Sequence, residues 1–185
     1  MKIKTACLGF AVCALGSTAA MAAQPGYPYN NDYGVYFGAS AGELYYNEQG
    51  LAQMSPTIAE FRVGQQFNPY LAIEGRIGTN VSGGGAYGYH INSQAIYGGY
   101  IKGIYPFSPW VSVYGIAGLG GADWHRNYAQ FDSNDIAISF GVGAEFNIGG
   151  NASLDLEWAR LTSGTNDSYG YSADTLLFGV NWRLL

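Results

Sequence analysis

The chain has 185 residues, which suits a single domain, and only 11% of them are charged, against about a quarter in an ordinary soluble domain. Its formal net charge of −5 excludes the strongly basic surface that a nucleic-acid partner would require. No stretch after residue 23 is apolar for the roughly 20 residues that a membrane-spanning helix needs, so two classes remain: a soluble all-β protein or a membrane β-barrel.

The N-terminal segment reads as a cleaved secretory signal peptide. Lys2 and Lys4 supply the positive start, residues 6–15 are apolar, and residues 20–22 form an Ala-Met-Ala cleavage pattern. We predict cleavage after Ala22, with Ala23 as the alternative. This leaves residues 23–185 as the mature domain. The segment is too short and too typically flanked to favour a buried N-terminal helix.

Loss of the signal peptide changes the chemistry that the mature chain can perform. Both cysteines, Cys7 and Cys13, lie within it, so no cysteine-based metal site, nucleophile or disulfide is expected. The mature chain keeps 6 basic residues (8 minus 2) against 13 acidic ones, a net charge of −7. No cofactor is indicated, and nucleic acid is again disfavoured as a partner.

Eight segments with a period of two residues follow a turn-rich stretch at 24–32. In chain order they are predicted at 34–43, 57–67, 70–79, 91–105, 109–120, 135–147, 152–162 and 174–184. Successive side chains of a strand point to opposite faces, so each segment has one apolar face and one small or polar face. The alternation is clearest at 136–146, where Ile136, Ile138 and Phe140 share one face with Val142.

The links between the segments alternate between short and long. The links at 68–69, 106–108 and 148–151 are tight, whereas those at 44–56, 80–90, 121–134 and 163–173 exceed ten residues each. Outer-membrane barrels have short periplasmic turns and longer outer loops in strict alternation, and a soluble sandwich has no reason to sort its loops in this way. The sequence therefore predicts an all-β fold, an eight-stranded antiparallel up-and-down transmembrane β-barrel, with its apolar faces towards lipid.

Aromatic residues gather near the short links. Amphipathic rings favour the boundary between membrane and water, so these residues are interpreted as a periplasmic girdle. Its members are Phe67, Tyr70, Tyr105, Phe107, Trp110, Phe146 and Trp182, with Tyr33, Tyr36 and Phe37 at the same level of the first strand.

The inward positions carry most of the charge outside the loops, four basic and five acidic groups. They are Glu60, Arg62, Glu74, Arg76, Lys102, Glu145, Asp155, Glu157 and Arg183. Charges are costly in hydrocarbon, but paired charges are tolerated in a polar lumen.

The hairpin 57–79 predicts how some of these charges pair. Opposed residues must share parity, because an odd register would turn one strand's charges towards lipid. If opposed positions sum to 136, Glu60 meets Arg76 and Arg62 meets Glu74; if they sum to 138, the same opposite charges are diagonal neighbours.

Eight strands leave an interior just wide enough for side chains to fill. The charge network is therefore expected to plug the lumen. The alternative is a narrow, porin-like channel or a barrel that transports small solutes, and measured conductance separates the two.

Four pieces of the chain resemble the small outer-membrane barrel family that includes OmpA-type transmembrane domains and OmpX-like proteins. They are residues 36–42 (YFGASAG), 63–75 (VGQQFNPYLAIEG), 142–146 (VGAEF) and 179–184 (GVNWRL). The resemblance spans essentially the whole mature chain. It implies a location in the outer membrane of a Gram-negative-type cell envelope, contact with outer-membrane lipid and lipopolysaccharide, and delivery by periplasmic chaperones to the barrel-assembly machinery.

The resemblance also assigns an assembly signal to the final strand. In the family this strand commonly ends in an aromatic residue that the assembly machinery recognises. Here the alternating positions are Phe178, Val180, Trp182 and Leu184, and an additional Leu185 follows, so the chain departs from the usual ending.

Catalysis is weighed against this structural role. The only histidines, His90 and His125, fall in predicted outer loops, and neither is near a serine as in the His-x-Ser pattern of barrel lipid A deacylases. Asp123 and Asp132 lie near His125 in sequence, which leaves an acid–base pair open there. Because nothing in the sequence supplies the rest of a site, we expect no enzyme activity.

The outer loops offer two binding hypotheses. Carboxylates with Asn and Ser oxygens are able to hold a divalent cation, although no EF-hand-like spacing is present. The Tyr- and Gly-rich loops 80–90 and 163–173 also suit contact with a host, phage or neighbouring cell. In the loops acidic residues outnumber Arg126 and Arg160; they are Glu43, Glu48, Asp123, Asp132, Asp135, Asp167 and Asp174.

Overall fold

The computed structural model describes residues 33–48, 55–82, 84–86, 89–126, 134–166 and 169–184. The predicted signal peptide at 1–22 therefore lies outside the described residues. Within them, no helix is both long enough and apolar enough to span a membrane.

The described residues form nine β-strands. These are β1 (Val35–Glu48), β2 (Thr57–Asn68), β3 (Leu71–Ser82), β4 (Gly84–Ala86), β5 (Tyr89–Pro106), β6 (Val111–Arg126), β7 (Asn134–Gly149), β8 (Ala152–Asn166) and β9 (Tyr169–Arg183). The three-residue strand β4 follows β3 and pairs with the outer end of β5, so the barrel has eight long strands.

All neighbouring strands pair antiparallel, and the pairing of β1 with β9 and of β3 with β5 closes the sheet. If directly paired residues are followed from strand to strand around the barrel, starting at Glu145 on β7, the row returns to β7 at Asp135. The two ends of the row are ten residues apart (145 minus 135). This stagger requires tilted strands, and barrel strands typically tilt by roughly 35–45° from the axis. The predicted eight-stranded antiparallel barrel is confirmed.

The alternating faces point as the periodicity predicts. Phe140 is 45% exposed and Phe178 is 56% exposed on the outer wall, whereas Arg62 is completely buried inside. A closed barrel has no unpaired sheet edge, so its backbone hydrogen bonds are satisfied between strands and its outer face is free to be apolar. The girdle residues near the short links lie on this outer wall, with one exception that concerns Tyr36.

The three short links are tight turns with local hydrogen bonds. Asn68 Oδ1 accepts from the backbone N–H of Tyr70 at 2.8 Å, and Ser108 Oγ accepts from the N–H of Val111 at 3.1 Å. Gly149 and Gly150 turn the chain between β7 and β8 with φ of 105° and 60°. These angles belong to the left-handed region, where only glycine is unstrained.

The predicted long loops are too long, because the strands continue into them. β1 extends to Glu48, so residues 44–48 of the loop predicted at 44–56 are paired strand, and β8 and β9 occupy most of the loop predicted at 163–173. The same correction applies to 80–90 and 121–134, where β3, β5, β6 and β7 overrun the predicted limits. Glycine, serine and aspartate suggest turns by their local preferences, but pairing with a neighbouring strand overrides those preferences.

Candidate functional site in the barrel interior

The register of the β2–β3 hairpin decides which interior charges meet. Opposed positions sum to 138, so Arg62 lies directly opposite Arg76, Glu60 opposite Gly78 and Glu74 opposite Gly64. This is the second of the two registers that the sequence allowed. It places two like charges face to face, and other strands must supply the balancing carboxylates.

Arg62 on β2 reaches across the interior to β8 and β1. Its Nη1 donates to Asp155 Oδ2 at 3.0 Å, and its Nη2 donates to Ser40 Oγ at 2.9 Å. The guanidinium also lies 3.4 Å from Glu60 and 3.8 Å from Glu157. Arg62 therefore bridges the two sides of the barrel.

Arg76 on β3 has carboxylates on three sides. Its Nε donates to Glu74 Oε1 at 2.5 Å, and its two Nη atoms bind both oxygens of Glu157, with Nη2 to Oε2 at 2.8 Å. Glu60 Oε1 lies 3.4 Å from Nη1. The planar fork of arginine matches a carboxylate in this bidentate way, which fixes orientation as well as charge.

Two interior tyrosines, which the sequence analysis did not assign to this site, complete the carboxylates' hydrogen bonding. The hydroxyl of Tyr36 donates to Glu74 Oε2 at 2.6 Å, and that of Tyr114 donates to Glu157 Oε2 at 2.9 Å. The prediction that Tyr36 belongs to the girdle is wrong: it shares parity with Gly38 and Ser40 and is buried inside. That parity was the signal in the sequence.

A second group lies nearer the periplasmic turns and centres on Glu145. Lys102 Nζ lies 3.2 Å from Glu145 Oε2, and Arg183 Nη2 lies 3.2 Å from Oε1. Ser153 Oγ donates to Oε1 at 2.6 Å. The Lys102 ammonium also stands 4.0 Å from the centroid of the Tyr114 ring, a cation–π distance that joins this group to the central one.

The structure thus places all nine predicted charges inside the barrel and joins them into one continuous network. Eight are buried, and Arg183 is partly exposed at the periplasmic end. Such burial is tolerated only where charges are paired and their remaining hydrogen bonds are satisfied. Asn181 also joins the network, because its Nδ2 donates to Asp155 Oδ1 at 3.1 Å. Among the described side chains, Arg62 Nε and Asn181 Oδ1 are the buried network atoms without a hydrogen-bond partner.

The interior tyrosines fit because glycine lies beneath them. Tyr36 is directly paired with Gly64, and Tyr114 with Gly143. A Cβ atom on either glycine would lie closer to the facing tyrosine ring than van der Waals contact allows. Each ring therefore lies flat over backbone, and its hydroxyl reaches the centre of the barrel.

A layer of apolar side chains closes the interior beyond the charge network, towards the outer loops. It consists of Leu44, Ile58, Ile96, Leu161, Ala173 and Leu177, each at most 5% exposed. The predicted inner face of glycine and charge is therefore incomplete, because it omits this layer. The parity of these residues on their strands identifies them as inward, so the pattern could have revealed it.

At this outer end the polarity of the two faces reverses. Leu44, Leu161 and Ala173 point inward, and their sequence neighbours Glu43, Arg160 and Asp174 point outward. Arg160 Nε and Nη2 donate to the two carboxylate oxygens of Asp174 at 2.7 and 3.1 Å. Apolar inside and charged outside is the arrangement of a water-soluble barrel, so on β1, β8 and β9 the outward apolar face ends below this level.

For the residues weighed for an acid–base pair, the structure describes the backbone of Asp123 and His125 but not their side chains. The backbones of His90 and His125 lie in β5 and β6 rather than in loops, which corrects their predicted position. Asp132 and Asp167 lie outside the described residues. Within the residues that are described, no group of three or more His, Cys, Asp or Glu is arranged to hold a metal ion.

The predicted assembly signal lies on the outer wall, with Phe178, Val180 and Trp182 in β9 and Leu184 directly after it. Phe178 and Trp182 are both more than half exposed, and Val180 lies between them. β9 pairs with β1 on one side and β8 on the other, so its backbone closes the barrel. Recognition by the assembly machinery remains a prediction.

Comparison with known proteins agrees with this architecture. The family model described as the outer membrane protein beta-barrel domain matches residues 10–183. No curated protein matches the chain in sequence.

Among solved structures, the chain is similar to Neisserial surface protein A, with a TM-score of 0.58 and 19% identity over 81% of this chain and 97% of that one. It is similar to Ail, the attachment invasion locus protein of Yersinia pestis, in complex with the heparin analogue sucrose octasulfate (TM-score 0.54, 16% identity, 81% and 99% covered). The outer membrane protein OprG of Pseudomonas aeruginosa has a TM-score of 0.51 and 9% identity, with 81% and 96% covered. At such identities the likeness concerns the fold alone.

Proposed function

Because the chain belongs to the outer membrane protein beta-barrel domain family, we propose that it is a non-enzymatic outer-membrane barrel with a structural and surface-interaction role and a plugged lumen. The observation that carries this proposal is the filling of the interior by two stacked layers. One is the charge network around Arg62 and Arg76, and the other is the apolar layer beyond it.

The two layers oppose passage for different reasons. An ion that crosses the network must displace charged partners that hold one another at 2.5 to 3.4 Å. An ion or water molecule that crosses the apolar layer must leave its hydration behind, and hydrophobic constrictions close pores by dewetting. The two barriers in series support a closed barrel over the narrow channel that is the alternative function.

Planar-bilayer recording tests the plug. We expect the unaltered protein to leave the bilayer conductance at its baseline over prolonged recording. A stable conductance on the nanosiemens scale from single insertions would reject the plug and favour the channel. Heat-modifiable gel mobility of the same sample serves as the control, because it reports that the inserted protein is a folded barrel.

The surface-interaction role rests on the strands that extend beyond the apolar belt. In sequence, the strand ends and the residues that connect them hold seven carboxylates against Arg126 and Arg160, and two of the seven, Asp132 and Asp167, lie outside the described residues. Ail forms a complex with a sulfated sugar analogue, but the charge balance here disfavours a polyanion. We therefore infer a neutral or cationic protein partner for the outer strand ends and the segments that were predicted as loops, 44–56, 80–90, 121–134 and 163–173.

Sucrose octasulfate is a suitable probe for this inference. We expect it not to bind the folded protein in detergent, as measured by calorimetry, while a cationic polypeptide such as polylysine binds with an affinity that falls with salt. Saturable binding of the sulfated sugar would contradict the inferred class of partner. Polylysine binding that survives a variant with neutralised outer carboxylates would also count against it.

Export and assembly follow from membership of the family as proposals about partners. The segment 1–22 would direct export, and periplasmic chaperones and the barrel-assembly machinery would receive the chain. The outward row of β9 would be read during insertion. Replacement of Trp182 and Leu184 by alanine should lower the amount of folded protein in the outer membrane, whereas Val35→Ala on the opposed strand should have little effect.

A further inference from the structure

The outer wall of the barrel is unequal in height. We define the tall wall as the outward side chains of β7, and the short wall as those of β8, β9 and β1. On β7 the outward apolar run extends from Ile148 to Ile136. On β1 it extends only from Val35 to Ala41, and Glu43 follows at the next outward position.

The other two strands of the short wall also end early. The outward apolar run stops at Trp158 on β8 and at Leu176 on β9. The next outward residues are Arg160 and Asp174, which are hydrogen-bonded to each other. Three neighbouring strands therefore present charge at the same level of the outer wall.

The tall wall is about twice as high as the β1 part of the short wall. Each residue advances about 3.3 Å along its strand, and at a tilt of about 40° it climbs about 2.5 Å along the barrel axis. The β7 run covers 12 steps (148 minus 136) and the β1 run 6 steps (41 minus 35). The tall wall is then about 30 Å high and the β1 part of the short wall about 15 Å, whereas the apolar band of such barrels is typically about 25 Å.

Most of the difference lies at the outer end. Phe140 on β7 is directly paired with Arg160 on β8. Beyond Phe140 the tall wall continues with Ile138 and Ile136, which are 75% and 60% exposed. A rigid tilt of the barrel moves a wall up or down but does not change its length, so it cannot match both walls to one uniform bilayer.

We propose that the outer leaflet is thinned along the short wall, so that lipid headgroups descend to Glu43, Arg160 and Asp174. A bilayer meets a short hydrophobic wall by thinning, at modest cost for each ångström. The other outcome would leave an ion pair in hydrocarbon, which is the more expensive arrangement. The surface fits lipid headgroups, which offer a partner to either charge. The inference requires a membrane-spanning barrel but not a closed lumen, so conductance does not bear on it.

Spin labels at two matched positions test the proposal. A row of directly paired residues rises towards the outer end by ten residues over the eight strands, and therefore by about two residues from β7 to β9. Phe140 is in one row with Arg160 and Asp174, so the residue of β9 at the same height as Phe140 is Leu176. Each position is replaced by cysteine and labelled with a nitroxide in the mature chain, which retains neither Cys7 nor Cys13. The protein is reconstituted in palmitoyl-oleoyl phosphatidylcholine vesicles. The depth of the label is measured by comparing its collision rate with oxygen to its collision rate with a water-soluble nickel chelate.

We expect Leu176→Cys to collide several-fold more with the nickel chelate than Phe140→Cys. In an Arg160→Leu/Asp174→Leu background, which lengthens the short wall, the label at 176 should fall to the value at 140. The charge-preserving background Arg160→Lys/Asp174→Glu should leave the difference intact. Gel mobility confirms that each variant is folded.

Two results overturn the proposal. One is equal depth at the two positions in the unaltered background. The other is spin–spin broadening at Leu176→Cys that disappears on dilution with unlabelled protein, because it would mean that a second copy covers the short wall.

Discussion

Arg62 and Arg76 lie directly opposite each other on β2 and β3, and both are buried inside the barrel. Two adjacent guanidinium groups repel, so their stability depends on the carboxylates around them. Asp155 and Glu157 come from β8, on the far side of the interior. The network therefore ties together strands that share no backbone hydrogen bonds.

Arg62→Leu should destabilise the barrel strongly. The substitution leaves Asp155 and its neighbours buried without their cation, and breaking a buried pair in this way typically costs about 3–5 kcal/mol. Arg160→Leu is the matched control, because its partner Asp174 lies on the outer wall and its guanidinium is partly exposed. Such a pair contributes only about 0–1 kcal/mol. Unfolding by guanidinium chloride in phospholipid vesicles measures the free energy of unfolding of both variants. Equal losses of stability would contradict a structural role for the network.

Tyr36→Phe should cost about 1.5–3 kcal/mol, as expected when a hydrogen bond to a buried charged group is lost. The variant keeps the ring over Gly64 but removes the hydroxyl that donates to Glu74. Tyr105→Phe is the control, since Tyr105 is on the outer wall. The unfolding midpoint in vesicles should fall for the first variant and stay nearly unchanged for the second. The opposite order would place Tyr36 outside the network.

Gly64→Ala should destabilise by about 1–3 kcal/mol, the usual cost of overpacking a filled interior. Its Cβ would press on the ring of Tyr36, whereas a Cβ at Gly99 would meet nothing within 4 Å. Gly99→Ala should therefore be tolerated to within about 0.5 kcal/mol. The same unfolding titration compares the two variants. If both are neutral, the ring of Tyr36 has room to move and is not fixed by the backbone beneath it.

The two interior layers should seal the barrel redundantly. Leu44→Ser/Ile58→Ser admits water to the apolar layer, but the charge network still blocks the lumen, so the conductance should stay at its baseline. Adding Glu157→Ser and Arg76→Ser to this pair should allow short conductance events, provided that gel mobility reports a folded barrel. A large conductance from the apolar-layer variant alone would mean that the network does not seal by itself.

The alternation of faces is local information in the sequence, whereas the register between strands is not. Ile136, Ile138 and Phe140 alternate with small residues, and a period of two needs no knowledge of the neighbouring strands. The register that places Arg62 opposite Arg76 is not local information, because parity alone allows the numbers of opposed residues to sum to either 136 or 138. The turn at Asn68 and the pairing of the whole hairpin chose between them.

Tyr36 illustrates a second limit. An aromatic residue near a short link resembles a girdle residue in composition, but its parity with Gly38 and Ser40 turns it inward. The extended outer strands illustrate a third, since Gly, Ser and Asp favour turns locally while pairing across the barrel holds Tyr169–Arg183 as one continuous strand.

By itself the sequence determined the eight long strands, the outward apolar face, the inward charges and the short turns, because all of these follow from alternation and turn residues within one segment. The tertiary structure alone decided the stagger of ten residues, the partners of each charge and the relative heights of the outer walls. These depend on which strands meet and at what offset, and closure of the sheet into a barrel sets that offset.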